Sequence, residues 1–224
     1  MTGTLLALGA GLLGALAGVL INRAAGRFPW SSHAPRNLVG GGPRALRPPV
    51  VEVATALLFV LGALRFGLSW ELSAYLFLAA AGVLLAVVDL QHHLLPNRVV
   101  VPSIGIGAML LLLAALPDRD WEALLRALLG AAVLFLVFLV LALISPRGLG
   151  MGDVKLAGLI GLYLGWIGWG AVVVGASAGF VIQALLALVL LAGRRIGLRG
   201  ELPFGPAMLL GAAVAIGWSD ALLG

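Results

Sequence analysis

Eight stretches of mostly apolar residues follow one another along the chain, near 4–22, 50–66, 72–90, 99–116, 123–144, 154–167, 169–192 and 204–222. A helix needs about 20 such residues to cross the hydrocarbon core of a bilayer. The pattern therefore predicts an all-α fold: a polytopic membrane helix bundle of about eight transmembrane helices, forming a single membrane domain over residues 1–224. The sixth stretch is short and glycine-rich. Either it starts before residue 154, or it crosses with little tilt and packs tightly. The longest polar stretch, 23–49, is rich in Pro, Gly and Arg and reads as an irregular loop. The first stretch has no basic residue before it and is followed by Asn22-Arg23, not by a small-residue cleavage site, so it reads as a membrane helix and not as a signal peptide.

Composition strengthens this picture. Hydrophobic residues make up 62% of the chain and charged residues 10%, where a soluble domain carries about a quarter charged. The net charge of +5 does not indicate nucleic-acid binding, because no basic stripe interleaves with aromatics and the arginines sit in short gaps between apolar runs. The chain has no cysteine. That excludes disulfides, thiolate zinc sites and cysteine nucleophiles.

The basic residues predict an orientation. With eight spans, one set of gaps holds Arg23, Arg27, Arg36, Arg44, Arg47, Arg98, Arg147, Lys155, Arg194, Arg195 and Arg199, and the other holds Arg65, Arg119 and Arg126. Positive residues favour the cytoplasmic side, so the first set faces the cytoplasm and both termini lie outside.

The acids then sort by side. Glu71, Asp118, Asp120, Glu122 and Asp220 fall in outer loops or at outer helix ends, where solvated charges are ordinary. Four fall on the cytoplasmic side: Glu52, Asp89, Asp153 and Glu201. Asp89 follows an unbroken apolar run from Ala79 to Val88; it is either a charge at membrane depth, costly at about 2.5–3.5 kcal/mol, or the interfacial end of the third helix. Asp153 sits in Gly150-Met151-Gly152-Asp153. Gly150 and Gly152 let another backbone approach, although an aspartate here also suits a helix cap. Glu52 opens the second helix, where a carboxylate favours the positive end of the dipole. Glu201 stands beside Arg199 and reads as solvated.

Two aspartates on one face and on separate helices suggest a pair sharing a proton, since close like charges cannot both ionise easily. The ionised member can take a proton from water while the protonated member polarises a peptide carbonyl. Neither metal nor covalent intermediate is required. Lys155, two residues beyond Asp153, either tunes that carboxylate or snorkels at the interface. His92 and His93 are adjacent and do not point together on a helix, so they read as loop histidines and not as metal ligands. His33 stands alone. Gln183 hydrogen-bonds between helices or lines a polar cavity.

Taken together, the chain resembles the prepilin peptidases, or type IV leader peptidases, over nearly its full length. Five segments match in order: Gly18-Val-Leu-Ile-Asn22 with Arg27-Phe-Pro29, Pro49-Val-Val-Glu52-Val-Ala-Thr55, Asp89-Leu-Gln-His-His-Leu-Leu95-Pro96-Asn97, Gly150-Met-Gly-Asp153-Val-Lys155-Leu-Ala, and Leu202-Pro-Phe-Gly-Pro206. The resemblance implies an inner-membrane aspartic endopeptidase. It would cleave prepilin or pseudopilin leaders after a glycine on the cytoplasmic side, with Asp89 and Asp153 as the catalytic residues and no cofactor for proteolysis. Many members also methylate the new N-terminus with S-adenosylmethionine. The chain departs from the bifunctional members in one respect. Its 23–49 loop is shorter and lacks their two Cys-x-x-Cys pairs, so the zinc site is absent, while the motifs around Asn22 and Glu52 persist.

Two rivals differ in kind. Another Gly-x-Gly-Asp membrane protease of presenilin type would place its first aspartate after a tyrosine, but Val88 precedes Asp89. A small transporter or assembly scaffold using buried carboxylates would show inverted repeats with broken helices, and no repeat is visible.

Overall fold

The structure, a computed structural model, describes residues 2–30, 43–145, 148–194 and 202–223. Arg36, Arg147, Arg195, Arg199, His33 and Glu201 lie outside the described residues. The described residues form eight α-helices and no strand: α1 Thr2–Ala25, α2 Val50–Phe66, α3 Leu72–His92, α4 Asn97–Asp118, α5 Trp121–Ile144, α6 Met151–Ile167, α7 Trp169–Ala192 and α8 Gly205–Leu223. Five of them, α1, α3, α4, α5 and α7, are long and apolar enough to cross a membrane. The eight expected spans correspond one to one with these helices. The sixth does start earlier, at Met151, and it also packs tightly, with Leu156 to Trp166 all buried.

The helices pack as two compact units, Met1–His92 and His93–Gly224. In the first, α1, α2 and α3 contact one another pairwise. Glycines set the closeness of α1 and α2. A Cβ on Gly14 would lie 2.8 Å from the Cα of Ala56, and one on Gly18 would lie 2.6 Å from the Cα of Glu52. Apolar helices gain little from hydrophobic burial in lipid, so such small-residue seams carry much of their association. At one end of this unit Ile21, Ala25, Val51, Val87 and Val88 form a buried cluster, covered by Phe28, Ala45 and Leu46.

The second unit is organised around α6, which contacts α4, α5, α7 and α8. Every residue from Leu156 to Trp166 is buried, as expected of a helix apolar all round at the centre of a bundle. The α5–α6 seam is again built on glycine: a Cβ on Gly130 would lie 2.6 Å from the Gly161 carbonyl oxygen, and one on Gly165 would lie 2.6 Å from that of Arg126. Arg126, expected as an outer loop charge, lies on α5. Its Nε and Nη2 donate to the carbonyls of Gly165 and Trp166 at 2.9 and 2.8 Å, so a cation satisfies the negative end of α6. Asp120, expected as a solvated loop charge, caps α5 by accepting from Ala123 N at 3.0 Å. Glu122 stays exposed and lies 3.9 Å from Arg126.

Candidate functional site

The first unit holds Asp89 in the last turn of α3, where it is only 5% exposed. The helix runs on to His92 and stops at His93, whose φ of 50° is left-handed. His92 is therefore helical and not in a loop, and its ring lies 4.8 Å from that of Phe28. Among the described residues no three His, Asp or Glu side chains gather as a metal site would require.

Beside this helix end, Asn22 ties down the segment that leads into α2. It is fully buried. Its Nδ2 donates to the Leu46 carbonyl at 3.0 Å and to Glu52 Oε1 at 3.2 Å, while its Oδ1 accepts from Leu46 N at 2.9 Å. The Asn22 carbonyl takes Gly26 N and Ala45 N at 3.0 and 3.1 Å. Gln91, two residues after Asp89, donates to the Ala45 carbonyl. Residues 45–46 thus bridge the end of α1 and the end of α3. Glu52 lies in the first turn of α2, but its carboxylate bonds to Asn22, and α2 has no side-chain cap. The favourable dipole position is real, yet the bonding partner is a side chain 30 residues away.

The second unit holds Asp153 at the third position of α6. Its Oδ2 accepts from Gly150 N at 2.9 Å, so the carboxylate does cap its own helix. That leaves Oδ1 for other partners. The two glycines of the motif act differently. Gly150 supplies an amide to Asp153. Gly152 permits close approach, since a Cβ there would lie 2.8 Å from the Cβ of Leu95. Lys155 Nζ donates to Asn97 Oδ1 at 2.8 Å, a third outcome beside carboxylate tuning and snorkelling. Leu95 and Asn97 belong to the run that begins at Asp89. The segment after the first aspartate is thereby fastened to the helix start that carries the second.

Two features lie in motifs the sequence singled out, but their contacts had no signal there. Asn97 sits at the first position of α4, just after Pro96, where its side chain reads as an ordinary helix start. The Leu202–Pro206 segment docks through Phe204, whose ring stacks at 6.1 Å on Phe138 and 5.1 Å from Phe180. Gln183 donates to the Leu202 carbonyl at 3.5 Å, so it reaches this segment and not another helix.

Comparison with known proteins adds a family. The model of the type IV leader peptidase family matches residues 76–223, a span that includes both aspartates. Similar proteins named prepilin leader peptidase/N-methyltransferase occur in Stutzerimonas stutzeri (32% identity over 178 residues, 78% of this chain and 59% of that protein) and in Pseudomonas aeruginosa (32% over 175 residues, 78% and 59%). One from Bacillus subtilis is 34% identical over 178 residues, 78% of this chain and 67% of that protein. The match spans about three fifths of the length of the first two relatives. No solved structure matches the chain.

Proposed function

We propose that this chain, which belongs to the type IV leader peptidase family, is a membrane aspartic endopeptidase that removes the leader of prepilins or pseudopilins after a glycine. Asp89 and Asp153 are the catalytic residues. The observation that carries the reading is the fastening of Leu95 and Asn97, which follow Asp89 in sequence, to Gly152 and Lys155 at the start of α6. Both contacts lie within His93–Gly224 and tie the residues that follow the first aspartate motif to the start of α6.

The chemistry follows from two carboxylates sharing one proton. The ionised member accepts a proton from water as the water oxygen attacks the scissile carbonyl, and the protonated member donates to that oxygen. Collapse of the tetrahedral intermediate breaks the C–N bond, and the nitrogen leaves with a proton from the first carboxylate. Gly150 N–H holds one oxygen of Asp153 and orients the group. Lys155 positions the α6 start through Asn97. The arginine asymmetry supports a site facing the cytoplasm and both termini outside.

A second activity, N-methylation of the new terminus, is favoured by a specific observation. Asn22 and Glu52 are joined by a part-buried hydrogen bond in the first unit, and in the same unit the buried atoms Glu52 Oε2 and Arg27 Nη1 have no hydrogen-bond partner. Such atoms fit a ligand that brings its own charges. S-adenosylmethionine, when bound, supplies an electrophilic methyl group. One experiment tests both activities: mass spectrometry of a matched prepilin's N-terminus after co-expression. Removal of the leader after a glycine supports the peptidase, and an intact leader refutes it. A further mass increase of one methyl supports the second activity.

A further inference from the structure

Tryptophan is spread unevenly over the second unit. Of the six tryptophans in the chain, Trp121, Trp166, Trp169 and Trp218 belong to it, and all of these lie at one end. Trp121 opens α5, Trp166 lies in the last turn of α6, and Trp169 opens α7. The bonds from Arg126 to the Gly165 and Trp166 carbonyls put the start of α5 level with the end of α6. A Cβ on Gly175 would lie 3.3 Å from the Cβ of Ala215, and one on Gly179 would lie 3.2 Å from the Cα of Met208. Helices α7 and α8 therefore run antiparallel, and Trp218 comes level with the first turn of α7. Trp166 is buried, but Trp121, Trp169 and Trp218 are 51%, 47% and 60% exposed. Among the described residues no tryptophan or tyrosine marks the opposite end of this unit, where α6 begins with Asp153. The first unit, taken by itself, repeats the pattern. Trp70 is exposed just before α3, whose last turn holds Asp89, while Trp30 donates its indole N–H to the Ala24 carbonyl at 2.8 Å.

Exposed indoles at helix ends suit the headgroup layer of a bilayer, where one edge of the ring is apolar and the other wet. Along α6 the span from Gly168 back to Asp153 covers roughly 22 Å at 1.5 Å per residue, against a hydrocarbon core of about 30 Å. With the tryptophans in one headgroup layer, Asp153 stops roughly 8 Å short of the other, and any tilt of α6 widens the gap. Yet the start of α6 is polar: Lys155 Nζ donates to Asn97 Oδ1 in an exposed bond. Such groups are not left facing hydrocarbon. Helices α5 and α7 have 24 residues each and α6 has 17, so α5 and α7 are long enough for the full core and α6 is not.

We propose that this unit holds a phospholipid bilayer of unequal thickness. Trp121, Trp169 and Trp218 sit in one headgroup layer, and the opposite layer dips toward the start of α6 to meet Asn97, Asp153 and Lys155. Lipid accommodates a short span by local thinning at modest cost. The dip brings water to the Asp153 carboxylate without a channel. It also lets a membrane-anchored chain meet that carboxylate close to where the chain leaves the bilayer. The inference does not rest on the peptidase reading, since it concerns this chain and lipid alone.

The test uses single cysteines, which the chain otherwise lacks. Met151→Cys stands at the start of α6. Val140→Cys stands level with it on α5, because Gly130 packs beside Gly161 and Phe135 beside Gly158. Both side chains are exposed. The full chain is reconstituted in phosphatidylcholine vesicles with a charged thiosulfonate reagent on both sides. The Met151 thiol should react at least about tenfold faster than the Val140 thiol, because a charge is costly at hydrocarbon depth. Leu94→Cys, next to the Leu95–Gly152 contact, repeats the measurement should Met151→Cys fold poorly. Equal rates at the α5 and α6 positions would overturn the dip. Phosphatidylcholine brominated near the headgroup should quench tryptophan fluorescence more than lipid brominated near the chain end, and the reverse order would overturn the anchor. With Trp121, Trp169 and Trp218 all replaced by leucine, the contrast in thiol rates should shrink as the acyl chains are lengthened, where the wild type keeps it. A contrast that the triple variant keeps equally well would remove the tryptophans from the proposal.

Discussion

In Met1–His92 the side chains of Asn22 and Gln91 are held by an irregular segment far away in sequence, whereas in His93–Gly224 Asp153 is held by its own helix. Asn22 reaches residues 24 and 30 positions on, and Gln91 reaches back 46 to Ala45. Asp153 takes its bond from Gly150, three residues before it. The first arrangement exists only when the 43–49 segment is docked. The second forms with the first turn of α6 and is then placed by glycine seams. Both units use glycine seams and long-range polar bonds, but the local setting of the two aspartates differs: Gln91, beside Asp89, bonds to a segment 46 positions away, whereas Asp153 itself is bonded by Gly150 of its own helix start.

The largest expected effect falls on both halves equally. Asp89→Asn and Asp153→Asn should each lower leader cleavage by at least about 10²–10⁴-fold, since asparagine keeps the shape but cannot exchange the proton. Both proteins should still insert in the membrane. A variant that cleaves a matched prepilin at near the wild-type rate would show that its aspartate is not catalytic. Because the chain has no cysteine, Asp89→Cys with Asp153→Cys offers a clean distance probe. A short thiol cross-linker should join them, and failure to do so in the membrane would break the pairing.

Next come two changes that should affect one half each. Gly161→Ala drives a Cβ into the carbonyl of Gly130, which is backbone and cannot turn aside. A cost of about 1–3 kcal/mol is expected, read as a lower melting midpoint in detergent. Gly105→Ala, with nothing within 4 Å of its Cβ, should leave the midpoint unchanged or raise it slightly. Asn22→Ala loses both bonds to Leu46 and should cost about 1–2 kcal/mol. Its signature is local. Amide exchange should accelerate at Ala45 and Leu46 and not along α5 or α6. Exchange that rose equally in both units would mean that the two share one cooperative scaffold.

Much of this contrast follows from how information lies in the chain. Membrane helices are legible because an apolar window is local, and all eight fall near the expected spans. The boundary errors are local too. The start of α6 moves back to Met151 because Gly150 and Asp153 close its first turn, and α3 runs past residue 90 because His92 packs on Phe28. The pairings of Asn22 with Leu46, Gln91 with Ala45 and Lys155 with Asn97 cannot be read from one sequence, because no periodicity links positions 24, 46 or 58 apart. The motifs singled out the residues; only the fold shows what each one holds. Glu52 illustrates the gap: its place at a helix start points to a dipole role, and its bond goes to Asn22 instead.

The smallest predicted effect concerns the fastening of α6 to α4. Lys155 Nζ and Asn97 Oδ1 are 2.8 Å apart, with both side chains toward solvent. An exposed bond of this kind is worth about 0.5–1.5 kcal/mol, so Lys155→Met should slow cleavage by no more than about tenfold. If Lys155 acts through Asn97, then Asn97→Ala should slow it similarly, and the double variant should be no slower than either single one, the behaviour of two groups sharing one interaction. The pH–rate profile should keep its shape in all three. Additive losses, or a limb of the profile displaced only when Lys155 is replaced, would assign the lysine to direct electrostatic tuning of Asp153. The reverse result, full cleavage in Lys155→Met and a defect in Asn97→Ala, would place the function of Asn97 in the start of α4 and leave Gly152 against Leu95 as the contact that holds the residues before α4 to the start of α6.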